Sequence, residues 1–67
     1  MHCEIRVEGT MSDMLTRAFP ELEHVTMSGQ TVLFGPLIDE AQLYGLLDRC
    51  LSLGLRVVEM RRLPEPG

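Results

Sequence analysis

Few residues in this chain are of types that do chemistry, and their spacing is not what chemistry demands. His2, Cys3, His24 and Cys50 are metal-ligand types. None of them pair at the short Cys-x-x-Cys or His-x-x-x-His intervals that set two ligands on one ion. His2 and Cys3 are neighbours on an expected strand, so they point to opposite faces. Two core thiols and two surface imidazoles account for all four, and neither a metal nor another cofactor is expected. Glu4, Arg6, Glu8, His24 and Glu59 could gather on the open face of a sheet and form a catalytic pair. Strand neighbours of opposite charge more simply pair with each other, at about 0.2–1 kcal/mol per pair. A general base needs a pocket and a perturbed pKa, and nothing in the spacing supplies either.

Arg61-Arg62, with Arg56 nearby, could hold an anionic ligand or an acidic partner. The same arginines could instead guard an edge strand against unwanted pairing. Nucleic acid is an unpromising partner. The net charge of −4 repels a phosphate backbone. RNA-binding sheets of related strand order stack bases on central-strand aromatics, and here Phe34 stands alone against Glu4, Arg6 and Glu8. No run is apolar enough to span a bilayer. The charged, alternating start MHCEIRVEGT is unlike a signal peptide. The expected location is therefore cytoplasmic, with two free, buried cysteines.

The elements that must position these residues follow from periodicity. The segment GPLIDEAQLYGLLDRCLSLG, residues 35–54, dominates. Gly35-Pro36 should close the preceding run, and Asp39 suits an N-cap with Gln42 as capping-box partner. Ile38 and Leu43 fall at staple positions. Leu43, Leu46, Leu47, Cys50 and Leu51 fall on one helical face, while Asp48, Arg49 and Ser52 can meet water. Gly54 ends the helix. Gly45 is either a tolerated surface glycine or a point of close approach.

Upstream, Cys3, Ile5 and Val7 alternate with Glu4, Arg6 and Glu8 as a half-buried strand. A short helix follows, capped by Thr10 or Ser12, with Met11, Met14, Leu15, Ala18 and Phe19 inward and Pro20 as its stop. Residues 22–28 and 31–34 should form a hairpin through Ser28-Gly29-Gln30. Residues 55–62 form a last strand. Its apolar residues, Leu55 and Val57 against Val58 and Met60, need a bulge near Val57-Val58 to share a face. The tail, 64–67, is expected to be disordered.

The order strand–helix–strand–strand–helix–strand predicts an α+β, ferredoxin-like βαββαβ sandwich over residues 1–63. Two helices should cover one face of a four-stranded antiparallel sheet, with the first and third strands central. Exchange of the last strand between two chains is the alternative.

The run TVLFGPLIDEAQLYGLLDRCLSLGLRVVEMRRLP, residues 31–64, resembles a family of short, uncharacterised proteins from high-GC Gram-positive bacteria. Matching positions are Thr31-Val32-Leu33, Gly35-Pro36-Leu37, Asp39, Leu53-Gly54-Leu55, Val58-Glu59 and Arg61-Arg62-Leu63. The resemblance implies the same compact βαββαβ layout and no activity.

A 67-residue chain buries only about 60% of its unfolded surface, yet 45% of this one is hydrophobic. Val32 and Phe34, with Val57 or Val58, would form a patch on the face the helices leave bare, and such a patch marks an interface. The sequence therefore points to a non-enzymatic homodimeric module that binds a protein partner or a small anionic ligand. The candidate contacts are Val32 and Phe34 between subunits and Arg61 with Arg62 at an anion. An enzyme or ligand carrier with a pocket between subunits, using His24 or Glu59, is the runner-up. A third reading is an accessory protein that docks on a larger enzyme through an edge strand.

Overall fold

The computed structural model describes residues 1–10 and 12–64. Six elements follow one another: β1 (His2–Glu8), α1 (Ser12–Ala18), β2 (Glu23–Met27), β3 (Gln30–Pro36), α2 (Glu40–Ser52) and β4 (Val57–Leu63). The sheet order is β2-β3-β1-β4, with every neighbouring pair antiparallel. This is the α+β, ferredoxin-like arrangement, with β1 and β3 central. Met11, expected on the inward side of α1, and residues 65–67 of the expected disordered tail lie outside the described residues.

Register follows from alternation. Cys3, Ile5 and Val7 stand opposite Gly35, Leu33 and Thr31, and all six are buried. They form the floor of a core closed by Leu15 and Phe19 from the α1 side and by Leu43, Leu46 and Cys50 from α2. The hairpin joining β2 to β3 turns through Ser28 at φ 53° and Gly29 at φ 76°. Two successive positive φ values match the right-handed twist of the flanking strands. The first connection is tied to this hairpin. Gly9 N–H donates to Gly29 O at 2.8 Å, and the fully buried Thr31 hydroxyl donates to Gly9 O at 2.7 Å.

The expected bulge is present in β4. Glu59 faces Arg6 and Val57 faces Val7, which leaves Val58 as the extra residue. Val57 and Met60 consequently pack on the same core side, and Val58 turns out at 46% exposure.

α2 begins at its expected cap. Asp39 accepts from Gln42 N–H at 2.9 Å in extended backbone. Gln42 Oε1 reaches one residue further back than a capping box requires and accepts from Ile38 N–H at 2.7 Å. Leu37 is the residue that turns into the core, so Ile38 is 88% exposed and makes no hydrophobic staple. At the other end, Gly54 N–H donates to Leu51 O and Leu55 N–H to Cys50 O. These are the two bonds of a Schellman stop, with Gly54 at φ 74° and Leu55 buried beneath it.

The close approach falls at Gly35 and not at Gly45. A Cβ on Gly45 would meet nothing within 4 Å, whereas one on Gly35 would stand 2.8 Å from Leu22 Cδ2. Gly35 does not close a turn before α2. It continues β3 and lets the Leu22 side chain lie on the sheet. Pro36, the last strand residue, is placed beyond Glu23, where β2 has already ended, so its missing N–H breaks no β2–β3 bond.

Candidate functional site

The face of the sheet away from the helices is the candidate site, and its rows can be read from the registers. One row runs Glu23, Phe34, Glu4, Arg61, and the next Val25, Val32, Arg6, Glu59. Met27, Gln30 and Glu8 follow in a third. The face is thus divided along its length. Over β2 and β3 it is mainly apolar, through Val25, Met27, Val32 and Phe34. Over β1 and β4 it is charged, with signs alternating among Glu4, Arg6, Glu59 and Arg61. Arg6 and Glu4 approach within 3.5 Å along β1, and Arg56 lies 3.7 Å from Glu8 at the strand's end.

Val32 and Phe34 do share this face, as alternation requires, but they are unequally open. Val32 is only 6% exposed, since Val25 stands beside it on one strand and Arg6 on the other. Phe34 is half-buried, and Val25 and Met27 at the β2 edge are the more exposed members. Val57 does not join them, because the bulge sends it to the core.

Arg61 and Arg62 do not converge. Arg61 stands on the open face opposite Glu4, whereas Arg62 stands on the helix side and pairs with Glu40 of α2. His24 likewise faces the helix side, opposite Leu33, while Glu59 is on the open side. The polar groups of the runner-up reading are therefore separated by the sheet. Among the described residues, no group of three or more His, Cys, Asp or Glu is placed to hold a metal. Cys3 and Cys50 are free and buried, and burial pushes both thiols up from their ordinary pKa.

At the end of the open face, a groove of about 300 Å³ is lined by His2, Cys3, Phe34, Gly35, Leu63 and Pro64. Its walls are mostly apolar. Phe34 borders it because its row, with Glu23 and Glu4, is the last that β2 reaches, and the row beyond consists of Pro36, His2 and Leu63.

Two features escaped sequence reasoning. Arg49, expected to face water, holds the two helices together. Its Nη1 donates to Ala18 O at 2.9 Å and to Glu21 Oε1 at 2.8 Å, and its guanidinium stands 5.2 Å from the centre of the Phe19 ring. It thereby satisfies a carbonyl left over at the end of α1, and it lowers the pKa of the Glu21 carboxyl. The other feature is the exposure of Leu51, 67% open where a buried position was expected, with Tyr44 at 61%. Glu40, Tyr44, Leu47 and Leu51 recur at i, i+4, i+7 and i+11, a single stripe of the helix. That spacing was the available signal.

A family model described as a domain of unknown function, DUF8691, matches residues 2–61. The chain belongs to that family. The match takes in both helices and the first three strands whole, and follows β4 as far as Arg61. No curated protein and no solved structure matches the chain. Among the described residues, no helix is long and apolar enough to cross a membrane.

Proposed function

We propose that the chain is a non-enzymatic binding module of the cytoplasm that acts as a homodimer and binds a protein partner or a small ligand on the open side of its sheet. The supporting observation is the division of that side. An apolar strip over β2 and β3 runs into the apolar groove at Phe34 and Leu63, and charged residues border it on β1 and β4. A concave apolar site with a few polar groups at its rim suits a flat apolar body bearing a polar end. Arg61, one row from Leu63, would favour a negative one. The run TVLFGPLID, residues 31–39, which resembles short proteins of high-GC Gram-positive bacteria, builds β3 and the α2 cap, and so shapes the groove's wall.

Sedimentation at micromolar concentration and titration with anilinonaphthalene sulfonate, an apolar anion, test the two halves of the proposal. The expected results are a dimer mass and saturable dye fluorescence that Phe34→Glu abolishes without loss of fold. A monomer at all concentrations would remove the homodimer. Dye binding unaffected by Phe34→Glu would remove the groove.

A further inference from the structure

β4 is an edge strand of seven residues that, among the described residues, pairs only with β1. Its outer row of N–H and C=O groups is a template for another strand, and its side chains narrow down which strand that is. We propose that the template is filled by β4 of a second copy, antiparallel about a two-fold axis through Met60, joining two sheets into one of eight strands. This rests on the homodimer reading above and assigns its contact to the edge of the sheet.

The argument is one of self-complementary charge. A two-fold axis perpendicular to the sheet keeps each copy's helices on the same side. In that symmetry one residue of β4 faces itself, and its neighbours face one another in exchange. Centring on Glu59 would oppose two carboxylates, and centring on Arg61 would oppose two guanidiniums. Centring on Met60 sets Glu59 against Arg61 of the second copy, and Arg61 against its Glu59. The in-chain registers then extend the pattern. Arg6 faces Glu59, and Glu4 faces Arg61. The joined rows would read Arg6, Glu59, then Arg61 and Glu4 of the second copy, with every neighbour of opposite sign. Opposed charges directly across strands stabilise a pairing, and like charges oppose it.

The helix layer agrees with this choice. The ion pair of Arg62 with Glu40 ties one flank of α2 to β4. That flank is the stripe carrying Tyr44 and Leu51, both exposed. The same two-fold axis would bring the two stripes towards each other above the seam. β2, the other edge, has no comparable signature: about its central Val25, Glu23 would face Met27 and His24 would face Thr26.

Disulfide trapping reads the register. Chains carrying Glu59→Cys and chains carrying Arg61→Cys are oxidised separately and as an equal mixture, beside sedimentation of the unaltered protein. The native thiols are buried and stay out of the reaction. The expected result is a dimer whose mixed variants cross-link and whose single variants do not. A separate mixture of Arg61→Glu with Glu59→Arg chains should dimerise at least about tenfold more tightly than either variant alone, since each repels itself and attracts the other. A dimer that gives no mixed cross-link, or one in which Glu59→Cys or Arg61→Cys links to itself, overturns the proposed pairing and leaves the homodimer standing. A protein that sediments only as a monomer overturns both.

Discussion

Along β3, the two faces of the sheet differ more in what lies over them than in what they are made of. On the helix side, Leu33 is 1% exposed and sits among Ile5, Leu43 and other core residues. One residue earlier, on the opposite side of the same strand, Val32 is 6% exposed with no helix above it. Both are aliphatic and both are nearly hidden. Val32 is hidden only by its row neighbours, side chains that can move, whereas Leu33 is held by a packed layer that cannot. Burial by neighbours on an open surface and burial under helices therefore differ energetically even when exposed areas agree.

The sharpest way to break that comparison is to truncate both. Leu33→Ala leaves a hole beneath the helices and should cost about 2–5 kcal/mol by urea denaturation. Val32→Ala should cost less than about 1.5 kcal/mol, because Val25 and Arg6 can close over the gap. Equal costs would mean that the open face is packed as rigidly as the core, and the distinction would fall.

A second contrast is between glycines. Gly35→Ala drives a methyl into Leu22, which must shift, and should cost about 1–3 kcal/mol. Gly45→Ala meets open space on a helix and should stabilise by up to about 1 kcal/mol. Thermal unfolding of the two variants should move Tm in opposite directions. A stabilising Gly35→Ala would show that Leu22 does not hold its place on the sheet.

The outcome for Gly35 illustrates how far the sequence could be read. Local chemistry was legible wherever a residue's role depends on its near neighbours in the chain. Asp39 caps, Gly54 stops and Ser28-Gly29 turns because each acts on backbone within a few positions. The βαββαβ order follows from such signals, and so does the bulge, since only an extra residue lets Val57 and Met60 share a side. Roles that depend on a distant segment were hidden. Gly35 is small because of Leu22, and Arg49 is ordered by Ala18 and Glu21, 31 and 28 residues away. Leu51 follows the helical period as well as Cys50 does. Periodicity says that they lie on similar sides of α2, and not where the sheet beneath that helix comes to an end.

The candidate site was legible in the same measure. Alternation alone placed Val32 and Phe34 on the bare face, but the expectation that Arg61 and Arg62 share an anion overlooked that the same alternation sets them on opposite faces. The groove at Phe34 was not visible, because it depends on where β2 ends relative to β3, a question of register between strands. The open edge of β4 was foreseen as an edge, but the arrangement of its charges against β1 needed the register as well.

Cysteine reactivity should test how well the helices seal the covered face. Cys3 and Cys50 both lie on the covered side, and burial raises the pKa of both thiols. A folded-state pKa above the unfolded value gives a contribution to stability that is complete below the unfolded pKa and is lost as pH rises through the folded one. The native protein should therefore resist alkylation at pH 8, react fully in denaturant, and lose stability progressively under alkaline conditions. Rapid labelling of either thiol in the folded state would show that the helices do not seal that side.

The smallest expected effect concerns the ion pair of Arg49 with Glu21, which joins α2 to the segment after α1. Arg49 holds Glu21 through a hydrogen bond that lowers the carboxyl pKa below its ordinary value. The sign is opposite to that of the thiols: this contribution is present above the unfolded carboxyl pKa and is lost as pH falls through the lower folded one. Both side chains remain more than a third exposed, at 40% and 37%, so water screens the pair. Glu21→Gln should cost about 0.2–1 kcal/mol at neutral pH, and the difference from the unaltered protein should shrink as pH drops below the carboxylate range. Arg49→Ala should cost more than Glu21→Gln at every pH. It removes the donor to Ala18 O and the cation over Phe19 as well, and neither depends on the titration of Glu21. If the two variants lose the same stability and both differences vanish in acid, then the carboxylate alone carries the contact, and the clamp on the end of α1 contributes nothing.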